Sequence, residues 1–255
     1  MCKKLCFLIS LVLVLGLVNN ASADLVAAYT FEGNADDCSG EGHHGTVHGS
    51  ASYSSDAVFG SQSISFTGGY VQASIAGYDC ANPFTWMGWV KTTGNGSLFS
   101  KGPTGSWTGD QAKELYVDNG NVVFNKCGAP PETMWTNVAD GEWHHVAITW
   151  EDDGVDWWLR WYKDGELRYS VDWYANMMLY SDLGLDVFIG DECGSGGYPL
   201  TGLMDDVGFF DHALEAGAPD GSDPGTINHY RTFIIPEPAT IALLGLGGLL
   251  LRRRR

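Results

Sequence analysis

Residues 144–170 read HHVAITWEDDGVDWWLRWYKDGELRYS, and this stretch decides the fold class. It holds three runs rich in branched and aromatic side chains, His144–Trp150, Asp156–Lys163 and Leu167–Ser170, and such runs predict β-strands. Between the last two runs, Asp164-Gly165 supplies the positive φ angles that a tight hairpin needs. The stretch therefore predicts a strand followed by a β-hairpin.

The same rhythm extends from Asp24 to about Thr232, where short apolar runs alternate with Gly, Asn, Asp and Pro. No amphipathic helix of about ten residues interrupts it, and there is no internal repeat. We therefore predict one all-β domain over 24–232, a two-sheet antiparallel β-sandwich with a loop at Asp211–Asp223. The other predicted strands are Val26–Phe31, Ser63–Phe66, Tyr70–Ser74, Phe84–Lys91, Ser97–Lys101, Glu114–Val117, Asn121–Phe124, Asp186–Ile189 and Leu203–Phe210.

The first 23 residues have the layout of a secretory signal peptide. Lys3 and Lys4 precede the apolar run Leu5–Val18, and the small residues Ala21-Ser22-Ala23 follow. We expect signal peptidase to cut after Ala23. A first transmembrane helix is the alternative, but the run is short and the site that follows it is cleavable.

The last 23 residues, 233–255, have the layout of a second targeting segment. Pro236-Glu237-Pro238 precedes the apolar stretch Ala239–Leu251, and four arginines close the chain. This order resembles the PEP-CTERM sorting signal, with its short hydrophobic helix and basic tail. The resemblance implies transient retention in the inner membrane, cleavage near the triplet by an exosortase-type enzyme, and delivery to the cell surface or extracellular matrix. A permanent single-pass anchor is the alternative.

The charge of the middle of the chain excludes one class of partner. Six of the 14 basic residues lie at the two ends, so eight remain there against 30 of the 31 acidic residues, a net charge of about −22. Phosphate backbones would be repelled by such a domain. We therefore expect no nucleic-acid binding, and an acidic extracellular protein that could collect divalent cations.

Several motifs of the middle region resemble a known family. The opening segment is Ala28–Asp37 followed by Ser39–Thr46. Later segments follow in order: Phe84-Thr85-Trp86, Trp89-Val90, Trp143–Ala147, Leu159–Gly165, Ile189-Gly190 and Gly202–Val207. Together they resemble the laminin-G-like jelly roll of the concanavalin A-like lectin/glucanase type, which implies two packed antiparallel sheets and ligands bound on the concave face or on edge loops. One departure is the Gly/Pro/Asp-rich loop after Ala213-Leu214, where the family has a short helix.

Four cysteines remain in the mature domain: Cys38, Cys80, Cys127 and Cys193. An even number in an exported chain predicts two disulfides, and a zinc site would need closer pairs. Three pairings are open. Cys38–Cys80 with Cys127–Cys193 is preferred, because it links neighbouring loops of the expected fold.

Catalysis is not expected. Glucanases of this type carry acidic residues at alternate positions of one strand, E-x-D-x-E or E-x-D-x-x-E, and no such pattern occurs in this chain. The acidic runs Glu151-Asp152-Asp153 and Asp191-Glu192 are interpreted as solvated loops. A hydrolase or lyase with an unrecognised site is the least favoured alternative.

A structural calcium ion is a hypothesis. Asp205 shares a strand face with apolar neighbours, where an unpaired carboxylate is expensive. In the resembled fold the first strand lies near the last, which brings Glu32 and Asn34 close, and oxygen ligands of this kind suit Ca²⁺. The resemblance implies a calcium ion in this region. The alternative is that Glu32 and Asp205 accept backbone N–H bonds or face water.

The mature domain contains all ten tryptophans. Aromatic faces stack on the apolar faces of sugar rings, although many of these side chains are expected to fill the sandwich interior. The loop residues Trp107, Trp135, Trp173 and Tyr198 are the predicted ligand contacts. We therefore predict an exported, non-catalytic module that binds carbohydrate or polysaccharide; the alternative is a structural or adhesive matrix protein with a protein partner.

Overall fold

A computed structural model describes residues 25–106, 111–126, 128, 130–172 and 180–232. Residues Asp24–Ile234 form one compact unit. Its strands are β1 Leu25–Tyr29, β2 Thr46–Ser54, β3 Ser63–Ala73, β4 Phe84–Thr92, β5 Gly96–Gly102, β6 Lys113–Asp118, β7 Asn121–Lys126, β8 Glu132–Met134, β9 His144–Asp152, β10 Trp157–Lys163, β11 Glu166–Asp172, β12 Asp186–Ile189 and β13 Thr201–Phe210, and its helix is α1 Ile227–Thr232.

The strands follow one antiparallel hydrogen-bonded path, β11-β10-β9-β4-β13-β3-β12-β5-β6-β7-β8, with β1 added to β13 and β2 to β3. The path folds over into two layers. Phe99 of β5 meets Phe209 of β13 with ring centroids 5.7 Å apart, and Phe124 of β7 meets Trp86 of β4 at 6.3 Å. Strands far apart along the path thus face each other across a core, which confirms the predicted β-sandwich.

The core is built by alternation along the strands. Aromatic side chains at inward positions fill it, including Trp86, Trp150 and Trp161, each at 0% exposure. Trp157 stacks on Trp150 at 5.0 Å and is only partly buried. Most of the aromatic residues near the 144–170 hairpin therefore stabilise the sandwich by burying apolar area.

The structure corrects the strand pattern in three places. The run Ser63–Phe66 and the run Tyr70–Ser74 are one strand, β3, which continues through Gly68-Gly69. A Cβ on Gly69 would come within 2.4 Å of the His48 carbonyl oxygen, so glycine is required by the close approach of β2. The prediction missed β2, because its mostly polar, exposed residues carry no alternating apolar signal, and it missed the three-residue β8.

The C-terminal part of the domain packs on the outer face of the sheet that contains β4, β9 and β13. Tyr230 of α1 lies against Phe210 of β13 with ring centroids 4.7 Å apart, and Asn228 donates a hydrogen bond to the Gly165 carbonyl. Within the part of the chain that the structure describes, no helix is long and apolar enough to span a bilayer. The predicted signal peptide with Ala23, and the sorting segment with Pro236, Glu237 and Pro238, lie outside the described residues.

The cysteines correct the preferred disulfide pairing. Cys38, Cys80 and Cys193 are free thiols, so the Cys38–Cys80 bridge is absent and that prediction is wrong for this structure. Cys80 is fully buried in the core, whereas Cys38 lies in a loop where its Sγ is 3.7 Å from the Thr30 hydroxyl. Cys127, the other end of the second expected bridge, lies outside the described residues.

Candidate functional site

The two faces of the β5–β6 pair carry different charged residues. Lys101 of β5 stands opposite Lys113 of β6, and both side chains point inward with the core residues of these strands. The neighbouring pair, Ser100 and Glu114, points outward because successive strand residues face opposite sides. Both faces bury charged side chains, but only the inward face pairs them with opposite charges.

The inward face holds a saturated ionic cluster. Asp182 lies between the two ammonium groups, with its carboxylate 2.7 Å from Lys113 Nζ and 3.4 Å from Lys101 Nζ, and all three side chains have 0% exposure. Lys101 Nζ also donates to the Asp182 and Leu185 carbonyls, and the Cys80 amide donates to Asp182 Oδ1. This cluster, Lys101–Asp182–Lys113, anchors residues 182–185 over the end of the core.

The outward face is covered by the segment 191–198, named here the 191–198 loop. Ser100 Oγ donates to the Asp191 carbonyl at 2.8 Å and accepts from the Cys193 amide at 2.8 Å. The loop turns back so that the Gly196 amide donates to Asp191 Oδ2 at 2.7 Å. These bonds hold the loop against β5 and bury Glu114 beneath it, to 3% exposure.

Two buried carboxylate oxygens under this loop have no hydrogen-bond partner. They are Glu114 Oε1 and Asp191 Oδ1, in residues that are no more than 3% exposed. Burial raises the pKa of Glu114 to about 8, a hydrogen bond with the Ser97 hydroxyl opposes that rise, and the negative charges of Glu192 and Asp191 add to it. Burial and Asp191 also raise the pKa of Glu192. The carboxylates are thus short of compensating charge.

Two half-buried tyrosines stand at the edge of this cluster. Tyr198 of the loop meets Tyr116 of β6 edge-to-face, with ring centroids 5.4 Å apart. Polar groups flank them: Asn95 donates to Asp118 Oδ1 at 3.0 Å, and the Asn119 amide donates to the Asn95 side-chain oxygen. We call Tyr116, Tyr198, Asn95 and Asp118 the tyrosine face.

The structure describes two of the four predicted ligand contacts, Tyr198 and Trp135, and places them apart. Tyr198 belongs to the tyrosine face, whereas Trp135 directly follows β8, three strands along the path from β5, and is 80% exposed. Trp107 and Trp173 lie outside the described residues.

The predicted calcium ligands are held by hydrogen bonds. Glu32 accepts from the Ser61 amide and hydroxyl, and Asp205 Oδ2 accepts from the Val58 amide at 2.9 Å. The exposed Asn34 accepts only from the nearby Asp36 amide. Glu32 and Asp205 thus accept hydrogen bonds from backbone amides, which the sequence had left open as the alternative to calcium binding.

Asp206, which follows Asp205 in the chain, has a carboxylate oxygen that takes part in no hydrogen bond. Asp206 is 6% exposed, and its Oδ2 has no partner. Burial, then the charges of Asp205 and Glu32, raises the pKa of Asp206 to about 7. Across the described ranges, no three side chains of His, Cys, Asp or Glu are grouped so that they could hold a metal ion.

Glu114 was not predicted as a site residue, and the surroundings of Asp191 were predicted wrongly. Asp191 was expected in a solvated loop, but it is 1% exposed because the loop lies flat on β5. A signal for Glu114 was present: alternation in Lys113-Glu114-Leu115-Tyr116 places Glu114 and Tyr116 on one face. Nothing local in the sequence shows that a segment 77 residues later covers that face.

Comparison with protein families gives two matches. Residues 65–218 match the family described as the concanavalin A-like lectin/glucanases superfamily. Residues 235–255 match the PEP-CTERM protein-sorting motif, which marks an exported protein that exosortase processes at the membrane and that is displayed at the surface. No curated protein matches this chain.

Solved structures with this fold include two kinds of domain. Domain 4 of AbnA, an extracellular GH43 arabinanase of Geobacillus stearothermophilus in complex with arabinotriose, has a TM-score of 0.59 and 16% identity, with 78% of this chain and 97% of that chain covered. The binding domain of Paraclostridial Mosquitocidal Protein 1 has a TM-score of 0.59 and 13% identity, with 79% and 52% covered. The binding domain of botulinum neurotoxin DC in complex with SialylT has a TM-score of 0.53 and 11% identity, with 78% and 50% covered. The chain thus spans about half the length of the two toxin domains.

Proposed function

Because this chain belongs to the concanavalin A-like lectin/glucanases superfamily and carries a PEP-CTERM motif, we propose that it is an exported, surface-displayed, non-catalytic module that binds carbohydrate. The tyrosine face is its binding surface. The ligand is a glycan or an extracellular polysaccharide.

The observation that carries this proposal is the pairing of aromatic and polar groups on one outward face. Tyr116 and Tyr198 are half-buried, so each keeps an exposed part of its ring while its position is fixed by packing. The Asp118 carboxylate and the Asn95 amide lie beside them. Rings of this kind stack on sugar C–H faces, and the polar groups can accept or donate hydrogen bonds to sugar hydroxyls.

The arabinanase domain supports the choice of ligand class. It shares the fold and was solved with arabinotriose, although its 16% identity carries no residue roles to this chain. Arabinotriose is therefore the first probe, followed by xylo- and cello-oligosaccharides.

The test is calorimetric titration of the full chain in detergent with these oligosaccharides. We expect Tyr198→Ala and Tyr116→Ala each to weaken binding by about tenfold, equivalent to roughly 1.4 kcal/mol. Tyr180→Ala, which removes a 49% exposed tyrosine away from the tyrosine face, is the matched control and leaves affinity unchanged. Affinity that survives both tyrosine-face substitutions would refute this location for the site.

A second candidate function is adhesion to a protein partner, and the exposed side chain of Trp135 favours it. Exposed aromatic residues are enriched at protein interfaces. If Trp135→Ala abolishes adhesion to matrix proteins while no sugar binds, this alternative replaces the first. Release of reducing ends from polysaccharides would instead establish a hydrolase.

We also propose the structural calcium ion that the family resemblance implies, held by Glu32, Asn34 and Asp205 together with the neighbouring Asp206. The unpartnered Asp206 Oδ2 supports an added oxygen-preferring cation in this region. Addition of a chelator is expected to lower the melting temperature of the full chain. The Asp206→Asn variant should lose most of that response, whereas an unchanged melting temperature in the wild-type chain would dismiss the ion.

The processing route completes the proposal: cleavage after Ala23 and near Pro236–Pro238, with transient anchoring in the inner membrane between the two events. The PEP-CTERM match supports the second step. Mass spectrometry of the surface form should find a chain that begins at Asp24 and ends near the triplet. An intact C-terminus in that form would support the permanent anchor instead.

A further inference from the structure

The outer face of the sheet that contains β9, β10 and β11 carries a fixed, half-buried tryptophan. Trp157 of β10 packs toward the core on Trp150, so the next residue, Trp158, lies on the opposite face of the strand. This sheet also contains β4 and β13, which pack across the core against β5 and β7. Trp158 and the tyrosine face therefore lie on opposite outer surfaces of the sandwich.

The turn between β9 and β10 holds the Trp158 ring in place. Asp153 Oδ1 accepts hydrogen bonds from the amides of Val155 and Asp156, at 2.9 and 2.8 Å. The other oxygen, Asp153 Oδ2, accepts from Trp158 Nε1 at 2.9 Å, and the Arg160 guanidinium lies over the ring, 5.6 Å from its centroid. The ring is thus positioned before a ligand arrives and keeps an exposed part, which lowers the entropy cost of stacking a ligand on it.

Polar groups stand on both sides of the ring. In the antiparallel pairing, Trp158 lies opposite Glu151 of β9 and opposite Asp172 of β11. Directly opposite residues of paired strands point to the same face, with Cβ atoms about 4.5–5.5 Å apart. An aromatic ring flanked by hydrogen-bonding groups is also the arrangement of the tyrosine face, and it fits a sugar ring.

The charges around Trp158 select the kind of sugar. The nearby basic group, Arg160, is paired with Glu151. Asp156 and Asp172 lie close to each other, since the charge of Asp172 is the main cause that raises the pKa of Asp156. The surroundings of the ring are therefore net negative and would repel an acidic polysaccharide, so the ligand that fits is uncharged.

We propose that Trp158 is the centre of a second site for an uncharged polysaccharide, and that the domain bridges two polysaccharide chains. The two sites lie on opposite outer surfaces of packed sheets, so one short segment of ligand cannot contact both. Bridging rests on the proposed function, because the tyrosine face is the other site.

The Trp158 site has one aromatic ring, whereas the tyrosine face has two. Short oligosaccharides should therefore bind at Trp158 too weakly to alter their titration at the tyrosine face. A long polymer offers many repeats to a molecule that is already bound, so its second contact is favoured by a high local concentration. The Trp158 site should thus be detected with polymers.

Light scattering of linear arabinan mixed with the full chain in detergent measures bridging; xylan or a soluble β-glucan replaces arabinan if the tyrosine face prefers that sugar. We expect the wild-type chain to raise the scattering, and a large excess of protein to lower it again. Trp158→Ala should reduce the scattering by about tenfold or more and should bind short oligosaccharides as the wild-type chain does.

Trp143→Ala is the matched control. Trp143 is also half-buried, and its Nε1 also donates to a carboxylate, Asp56 Oδ1 at 2.9 Å, but it precedes β9 and does not stand on the face that carries Trp158. Its substitution should leave the scattering unchanged. Scattering that Trp158→Ala retains in full would overturn the proposal, and would assign any bridging to several chains that share one detergent micelle.

Hydrogen exchange makes the test independent of the folding of the Trp158→Ala chain. In the Tyr198→Ala chain, the polymer should still slow exchange at residues 151–160, and unchanged exchange there would overturn the second site. Failure of the proposed function gives a different result. If Tyr198→Ala leaves both oligosaccharide binding and scattering intact, the tyrosine face is not a site and bridging between these two faces is overturned.

Discussion

Lys113 and Glu114 are neighbours in β6, and they bury opposite charges on opposite faces of the same strand. On the inward face, Asp182 receives two ammonium groups and a backbone amide, and both lysines find carbonyl acceptors. On the outward face, Glu114 and Asp191 each keep an unpartnered oxygen. Burial of charge is common to both faces, so it cannot by itself indicate function.

The difference lies in satisfaction of the buried polar atoms. A cluster whose charges are all paired has no free polar atom to bind a ligand, so its role is to stabilise the fold. In the outward cluster burial favours the protonated form of Glu114, and the cluster lies beside half-exposed aromatic rings. The two faces should therefore respond oppositely to removal of a charge.

The largest effect is expected on the inward face. Asp182→Asn keeps the shape of the side chain but leaves Lys101 and Lys113 without a counter-charge, which should lower the free energy of unfolding by about 3–5 kcal/mol. Asp186→Asn, a half-buried carboxylate close by in β12, should cost less than about 1 kcal/mol. Urea unfolding of the three proteins measures both values, and a loss at Asp182 no greater than that at Asp186 would erase the contrast between the faces.

The outward face should show the opposite sign and a pH dependence. The pKa of Glu114 is raised by burial to about 8, so the folded state holds its proton more tightly than the unfolded state. Its contribution to stability is complete below about pH 4.5 and is lost as the pH rises to about 8. With chelator present, Glu114→Gln should therefore be more stable than the wild-type chain at pH 8.5, by roughly 2–4 kcal/mol, and the gap should close near pH 4.5. A gap that stays constant with pH would show that Glu114 does not titrate abnormally.

Ser100 joins the two regions, because it stands on β5 beside Lys101 and bonds the 191–198 loop twice. Ser100→Ala should lower the free energy of unfolding by about 1–2 kcal/mol, since it leaves a buried amide and carbonyl unpaired. Hydrogen exchange should quicken at residues 191–198 and not at 182–185. Equal quickening of both segments would mean that the loop and the inward cluster open together.

The smallest effect is expected at the Tyr198 hydroxyl. Its oxygen is 3.4 Å from the Val117 carbonyl and 3.5 Å from Asp118 Oδ1, which is long for a stabilising bond. Tyr198→Phe should change the free energy of unfolding by less than about 0.5 kcal/mol. A larger loss in the free energy of unfolding would mean that the Tyr198 hydroxyl stabilises the fold, and that Tyr198 is not simply a ligand contact.

The sequence predicted the architecture because the fold depends on local signals. Alternating apolar residues and the Asp164-Gly165 turn identified most strands. β2 was missed because its residues are mostly polar, and β8 was missed because it has only three residues. The site was less accessible to prediction, since it depends on contacts between distant segments. Tyr198 was identified, whereas Glu114 required the knowledge that the 191–198 loop folds onto β6. Asp182 carried no signal because its two lysine partners lie 81 and 69 residues away.

Hydrogen exchange of the full chain in detergent, with and without the tightest-binding oligosaccharide of the panel, tests the central claim most directly. We predict that the sugar slows exchange in residues 114–119 and 191–198 and leaves residues 132–136 beside Trp135 unchanged. Protection confined to residues 132–136, with no change at the tyrosine face, would contradict the account.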